Sequence, residues 1–238
     1  MPVPASPSDE VERLRRVYRD YDDDPATARR WSDGNPGNRA IADQRRARSR
    51  SLLREQGRWP AAGTRTLELG CGSGGALADL FGDVVDSAPI VGVDLSDERL
   101  RVAAARVPAV ALVRAEGSLM PFPSARFDLV VAFTVFSSVR DGRLAQRMAA
   151  EVDRVLRPGG AVVWYDMRHP NLRNPHTRAM PKRAVRALFP GFVAQFEPIT
   201  LLPPLARRLG RATGRVYGAL ALLRPLNSHY LGLLRKPA

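Results

Sequence analysis

The segment LELGCGSGG, from Leu67 to Gly75, constrains this chain more than any other. An apolar run, a cluster of glycines and the start of a helical pattern follow one another without a gap. At such a junction the missing Cβ atoms let backbone approach a ligand closely, and the free N–H groups of the helix N-terminus face an anionic group. The spacing of Gly70, Gly72 and Gly75 also satisfies the dinucleotide pattern GxGxxG, so the glycines alone do not choose among adenosine-bearing cofactors, and a purely structural tight turn stays open. Asp94 closes the next apolar run, 24 residues after Gly70. An acid there is placed to accept hydrogen bonds from both hydroxyls of a ribose.

Around this loop, apolar runs alternate with amphipathic stretches. Strands are expected at 64–69, 90–94, 109–113, 127–133, 161–166, 192–202 and 229–235. Alternation of this kind predicts an α/β fold: a Rossmann-like, seven-stranded, mostly parallel sheet with helices on both faces. Asp141 is expected to cap a helix over 142–156, which stops at Arg157-Pro158-Gly159-Gly160. Ahead of the core lie two expected helices, 8–21 with Ser8 as its cap and 39–56, joined by turn-rich residues. Residues 1–58 are thus expected as N-terminal lid helices and 59–238 as the core, with 167–238 supplying a substrate loop, a basic helix and the last two strands.

Four motifs between about 64 and 166 carry a resemblance. ELGCGSG from Glu68, VGVDLS from Val91, AEGSLMPFPSARFDLV from Ala115 and RVLRPGG from Arg154 occur in the order and at the places seen in class I S-adenosylmethionine-dependent methyltransferases. Within that class the chain resembles the small-molecule group that includes the ubiquinone and menaquinone biosynthesis methylases. The resemblance implies S-adenosyl-L-methionine as cofactor. Gly70, Gly72 and Gly74, with Cys71 between them, would pass its methionine portion, and Glu68 would hold the ammonium group. Asp94 would bind the ribose, Leu95 would pack on adenine, Glu116 with Gly117 would lie near the adenine amino group, and Phe133 would lie beside the sulfonium. Two departures stand out. Glu116 replaces the family's usual aspartate, and Phe136-Ser137-Ser138 stands where many relatives carry paired histidines. By position, the N-terminal helices would bring Tyr18, Tyr21 and residues 35–38 over the cofactor.

Methyl transfer from a sulfonium is an in-line displacement that asks mainly for alignment and exclusion of water. The polar stretch after the fifth strand lies where open α/β sheets bind ligands. His169 is the candidate base there, since an ordinary imidazole titrates near neutrality. Tyr165, Asp166, Arg168, Arg173 and Asn171, with Tyr21 from the lid, are the candidate acceptor contacts; ordinary structural roles for these residues and for His169 stay open.

The formal net charge of +13 is uneven: from Arg168 onward thirteen Lys and Arg face one acid, Glu197. The expected partner is a small-molecule acceptor, anionic or amphiphilic, methylated on oxygen in secondary metabolism or glycan biosynthesis. Nitrogen and carbon acceptors stay open, as does plain arginine-rich surface. An RNA methyltransferase is the competing reading, but no aromatics interleave with the arginines to stack bases; a non-catalytic cofactor-binding protein is a third. The expected basic helix after Pro204 carries Arg207, Arg208, Arg211 and Arg215 on one face, and Leu205, Leu209, Ala212 and Val216 on the other. Cys71, the single cysteine, cannot form an internal disulfide, and three scattered histidines make no metal cluster. The proline-rich first ten residues do not read as a secretory signal, and the longest apolar run, 216–223, is too short to span a bilayer. A cytoplasmic monomer or homodimer is expected.

Overall fold

The computed structural model describes residues 7–84, 86–171 and 174–238. Seven strands form one sheet in the order β3-β2-β1-β4-β5-β7-β6: β1 (Thr66–Leu69), β2 (Ile90–Asp94), β3 (Ala111–Arg114), β4 (Phe127–Phe133), β5 (Leu156–Met167), β6 (Val193–Leu201) and β7 (Asn227–Arg235). The first five run parallel, and β7 lies antiparallel between β5 and β6. The helices are α1 (Pro7–Asp23), α2 (Pro25–Arg30), α3 (Pro36–Glu55), α4 (Gly75–Phe81), α5 (Asp97–Arg106), α6 (Gly142–Val155), α7 (Lys182–Leu188), α8 (Pro203–Arg208) and α9 (Thr213–Ala221).

Period-two alternation divides the strand residues between the two faces. Leu67, Leu69, Val130, Val162 and Trp164 join the core beneath α1, α6 and α7. Leu129, Val131, Phe133, Val163 and Tyr165 join the core beneath α3, α4 and α5. Such a Rossmann-like sheet puts the carboxyl ends of β1, β2, β4 and β5 along one edge, where order reverses between β1 and β4.

Several boundaries differ from the sequence reading. Helix α1 already runs at Pro7, so Ser8 is not its cap. The acidic turn taken as a stop opens α2: the Asp24 carboxylate accepts from the N–H groups of Ala26 (2.9 Å) and Thr27 (3.0 Å), with Pro25 at the first helical position. Asp141 caps α6 as expected, its Oδ1 accepting from Leu144 N. The basic helix after Pro204 is not continuous. Gly210, at φ +50°, breaks it into α8, a short 3₁₀ turn and α9. That break rotates the second half, so the buried residues are Ala206, Thr213 and Tyr217, while Ala212 is exposed.

Residues 35–38, expected over a cofactor, instead dock α3 on α8. Asn35 caps α3 through Gly37 N (2.8 Å) and reaches Arg207 O (3.4 Å). A Cβ on Gly37 would overlap the Ala206 carbonyl. Gly37→Val should therefore lower stability by about 1–3 kcal/mol, read from urea unfolding, because backbone on both sides must move. An unchanged midpoint would show that α8 is not seated on α3 in this way.

Candidate active site

The glycine loop is built as the sequence requires. Gly70, Gly72 and Gly74 have φ of +70°, +52° and +74°, in the left-handed region that glycine alone enters freely. Gly70 N and Cys71 N both donate to Val93 O (2.8 and 3.0 Å), bending the chain away from the sheet. At Gly70 a Cβ would lie 2.8 Å from Val135 Cγ2, so glycine is also required by close approach. Asp94 faces this turn from the end of β2. Its Oδ2 accepts from Gly72 N (2.8 Å) and its Oδ1 from Ser96 N (2.9 Å), and the Ser96 hydroxyl caps α5 through Arg99 N (3.3 Å). One carboxylate thus ties the loop to the next helix.

Between the strand ends and α1 lies a partly open cleft with a mixed polar and apolar lining. Gly70, Asp94, Leu95, Glu116, Gly117 and Phe133 all line it. Glu68, Cys71, Gly72 and Gly74 do not. Glu68 lies at 2% exposure on the middle of the sheet edge, and its Oε2 has no hydrogen-bond partner among the described residues. Burial raises its pKa to about 8, opposed by Arg45 and reinforced by Asp94 and Asp79. The Cys71 side chain is buried in the core beneath α4, and burial pushes its thiol well above the ordinary range.

Helix α1 lines one side of the cleft with Val11, Leu14 and Tyr18. Its ties are polar at both ends. Tyr18 OH shares a hydrogen bond with Ser138 Oγ (2.7 Å), Arg13 donates to Ser138 O (2.6 Å), and Asp22 takes a bidentate pair from Arg99 (both 2.7 Å), whose guanidinium lies 4.3 Å from the Tyr18 ring centroid. Arg99 and Ser138 line the cleft and were missed by sequence reasoning. Arg99 belongs to no motif quoted above, and the substitution of serines for histidines at 137–138 was visible only as a departure.

The expected acceptor residues scatter. Asp166 is fully buried, accepts from Ser137 N (2.9 Å) and Met167 N (2.8 Å), and is pushed up to about 6 by burial, which those bonds oppose. It holds the 3₁₀ turn 136–138. Tyr165 is buried with its hydroxyl 2.8 Å from Thr200 Oγ1. Tyr21 donates to Asn174 Oδ1 (2.9 Å), joining the lid to the loop after β5. Arg168 donates to Arg224 O (2.9 Å) and lies over the Tyr230 ring. Asn171 and His169 are exposed on the same loop, and neither lines the cleft. His169 is pushed down by partial burial and by Arg168. Arg173 falls outside the described residues.

Known proteins match the core of this chain. Residues 67–164 match the family described as a methyltransferase domain. The demethylmenaquinone methyltransferase of Lactococcus lactis is 31% identical over 115 residues, 46% of this chain and 44% of that protein. The 2-phytyl-1,4-naphthoquinone methyltransferase of Nostoc punctiforme is 34% identical over 130 residues, 51% of this chain and 54% of that protein. The chain thus spans about half the length of these relatives. Among solved structures, a SAM-dependent methyltransferase from Archaeoglobus fulgidus superposes with a TM-score of 0.58 at 14% identity, covering 80% of this chain and 94% of that one, a likeness of fold. The loop, the acid after β2 and the strand order agree with these matches: residues 67–164 match a methyltransferase domain, and the sheet has the Rossmann-like fold of solved S-adenosylmethionine-dependent enzymes, a match that implies that cofactor.

Proposed function

We propose that the chain transfers a methyl group from S-adenosylmethionine to the hydroxyl-bearing portion of a small amphiphilic acceptor of the quinol or phenol type. The observation that carries this reading is the pairing of a buried Glu68, its Oε2 without a hydrogen-bond partner among the described residues, with a glycine turn pinned by Asp94 beside the cleft. A buried acid with such an oxygen suits an ammonium group, and the Gly70 cradle suits a methionine chain passing close to backbone. Glu68 would hold the cofactor's amine, Asp94 its ribose, Leu95 its adenine face, and Glu116 with Gly117 the adenine edge. The bound sulfonium supplies an electrophilic methyl group. Tyr18, Phe133 and Val135 would limit water in the space beside it, with α1 lining one side.

An amphiphilic acceptor is supported by the surface between α8 and β7. Leu222 and Leu223 are 81% and 52% exposed, and Arg211, Arg215 and Arg224 are exposed in the same segment. Apolar tips among arginines suit a molecule with a lipid tail and an anionic surrounding surface. Among the described residues no helix is long and apolar enough to cross a membrane. Arg207, by contrast, lies against the Trp31 ring (4.9 Å), so charge reversal there would disturb packing. The informative pair is Arg211→Glu with Arg215→Glu, which should raise the acceptor KM several-fold at low salt and leave cofactor affinity unchanged. No change in KM would make these arginines solvated surface only.

The function is tested by incubating the protein with methyl-labelled cofactor and either 1,4-dihydroxynaphthalene or bulk tRNA. Label in the naphthalene supports the proposal; label in tRNA, with binding that weakens steeply with salt, would replace it by the RNA reading.

A further inference from the structure

A buried polar network lies behind Phe133, beneath α3, and the cofactor-binding residues use none of it. Thr200 is fully buried at φ +71°, an unusual conformation for a β-branched residue. Neighbours on three elements hold it there, and a fourth element braces one of them. Gln44 Oε1 on α3 accepts from Thr200 N (3.1 Å) and from Tyr217 OH on α9 (2.8 Å). Tyr165 OH on β5 meets Thr200 Oγ1, and the Ser228 hydroxyl on β7 donates to Thr200 O (3.0 Å). Strain sustained by surrounding hydrogen bonds gathers at functional sites.

The network fixes the tautomer of one histidine. Ser228 has a single hydroxyl proton, committed to Thr200 O, yet its oxygen also lies 2.8 Å from His229 Nδ1. The oxygen must therefore accept, so Nδ1 carries the proton and Nε2 presents a bare lone pair. Among the described residues Nε2 has no hydrogen-bond partner, and His229 is partly exposed at the edge where β7 begins opposite Met167. The ring is held flat on Tyr165 (centroids 4.6 Å, 3°), and Tyr165 in turn packs on Phe133 (5.4 Å), which lines the cleft. The Arg45 guanidinium lies over the Tyr165 and Phe133 rings (5.7 and 5.9 Å). Burial first, and Arg45 second, push His229 down to about 3, so it stays neutral.

We propose that Nε2 of His229, outside the lining of the cleft and joined to it through the Tyr165 and Phe133 rings, receives the hydrogen bond of the acceptor's distal hydroxyl and so orients an acceptor that extends from the Phe133 end of the cleft. The chemistry selects the ligand. A bare imidazole nitrogen takes an O–H donor, repels a carboxylate, and with Arg45 close by disfavours an ammonium group. His229 binds and aligns; Ser228 and Thr200 position it. This proposal rests on the methyltransferase reading above.

The test uses protein labelled with ¹⁵N-histidine and saturated with S-adenosylhomocysteine. His229 Nε2 should resonate as an unprotonated nitrogen from about pH 5 to 8, and its signal should move on adding 1,4-dihydroxynaphthalene but not 1,4-dimethoxynaphthalene. His229→Ala should weaken binding of the diol by about fivefold or more, with His229→Gln recovering part of the loss, while the dimethoxy compound and S-adenosylhomocysteine bind as before. A protonated Nε2, a signal indifferent to the diol, or equal losses for both naphthalenes would overturn the proposal and leave His229 a structural residue. Failure of S-adenosylhomocysteine to bind the unaltered protein would instead remove the methyltransferase reading, and this proposal with it.

Discussion

Asp94→Ala should weaken binding of S-adenosylhomocysteine by about 1–3 kcal/mol, roughly five- to more than a hundredfold in the dissociation constant. Two losses combine in that figure. The variant removes the expected acceptor for the ribose hydroxyls, and it frees Gly72 N and Ser96 N from the carboxylate that ties the glycine loop to α5. Asp94→Asn separates them, because an amide keeps one oxygen acceptor for the loop while losing the charge and the second acceptor. Titration calorimetry should rank the affinities as unaltered protein, Asp94→Asn, then Asp94→Ala. Equal affinities for all three would mean that the cofactor does not meet this carboxylate.

The second large effect is a pH dependence assigned to Glu68. With a pKa near 8 this acid is protonated at neutral pH in the empty protein. An arriving ammonium group favours the ionised form, so binding should release close to one proton near pH 7. The affinity for S-adenosylhomocysteine should then rise by up to tenfold per pH unit between about pH 5.5 and 7.5. Glu68→Gln should bind more weakly at pH 7.5 and lose the slope; a slope that survives would assign the proton elsewhere. Stability of the empty protein moves in the opposite direction. The folded value lies above the ordinary 4.5, so the folded chain retains a proton that the unfolded chain gives up. The stability linked to that proton is complete below about pH 4.5 and falls away as pH rises towards 8.

What the sequence made legible was local. Strand β1, the glycine turn, Asp94 and the Asp141 cap are each written in a few adjacent residues whose conformational demands do not depend on the rest of the chain. Gly70, Gly72 and Gly74 are the clearest case, since their backbone angles are open to few other residues. Where contacts cross the chain, reading failed. Arg99 reaches the cleft because Asp22 and Tyr18 come to it from α1, and nothing near Arg99 in sequence announces that. Helix α2 was missed because Asp24-Pro25 reads equally as a stop and as a start. The continuous basic helix failed at Gly210, where one left-handed residue turned Ala212 outward.

The histidines show the same divide. His169 drew notice by lying just past β5, yet it sits exposed on a loop outside the cleft. His229 lies far along the chain, at the start of the last expected strand and in none of the four motifs. Antiparallel insertion of β7 between β5 and β6 pairs His229 with Met167 and stacks it on Tyr165. A pairing between strands so distant in sequence is not encoded in any short motif.

The central claim is that the cleft at the Gly70 turn takes S-adenosylmethionine and not a nicotinamide dinucleotide, although Gly70, Gly72 and Gly75 fit both patterns. Calorimetric titration of the unaltered protein with S-adenosylmethionine, S-adenosylhomocysteine and NADH addresses it most directly. The account predicts one-to-one binding of the first two and no heat of binding from NADH. Binding of NADH with no binding of either sulfur ligand would contradict it.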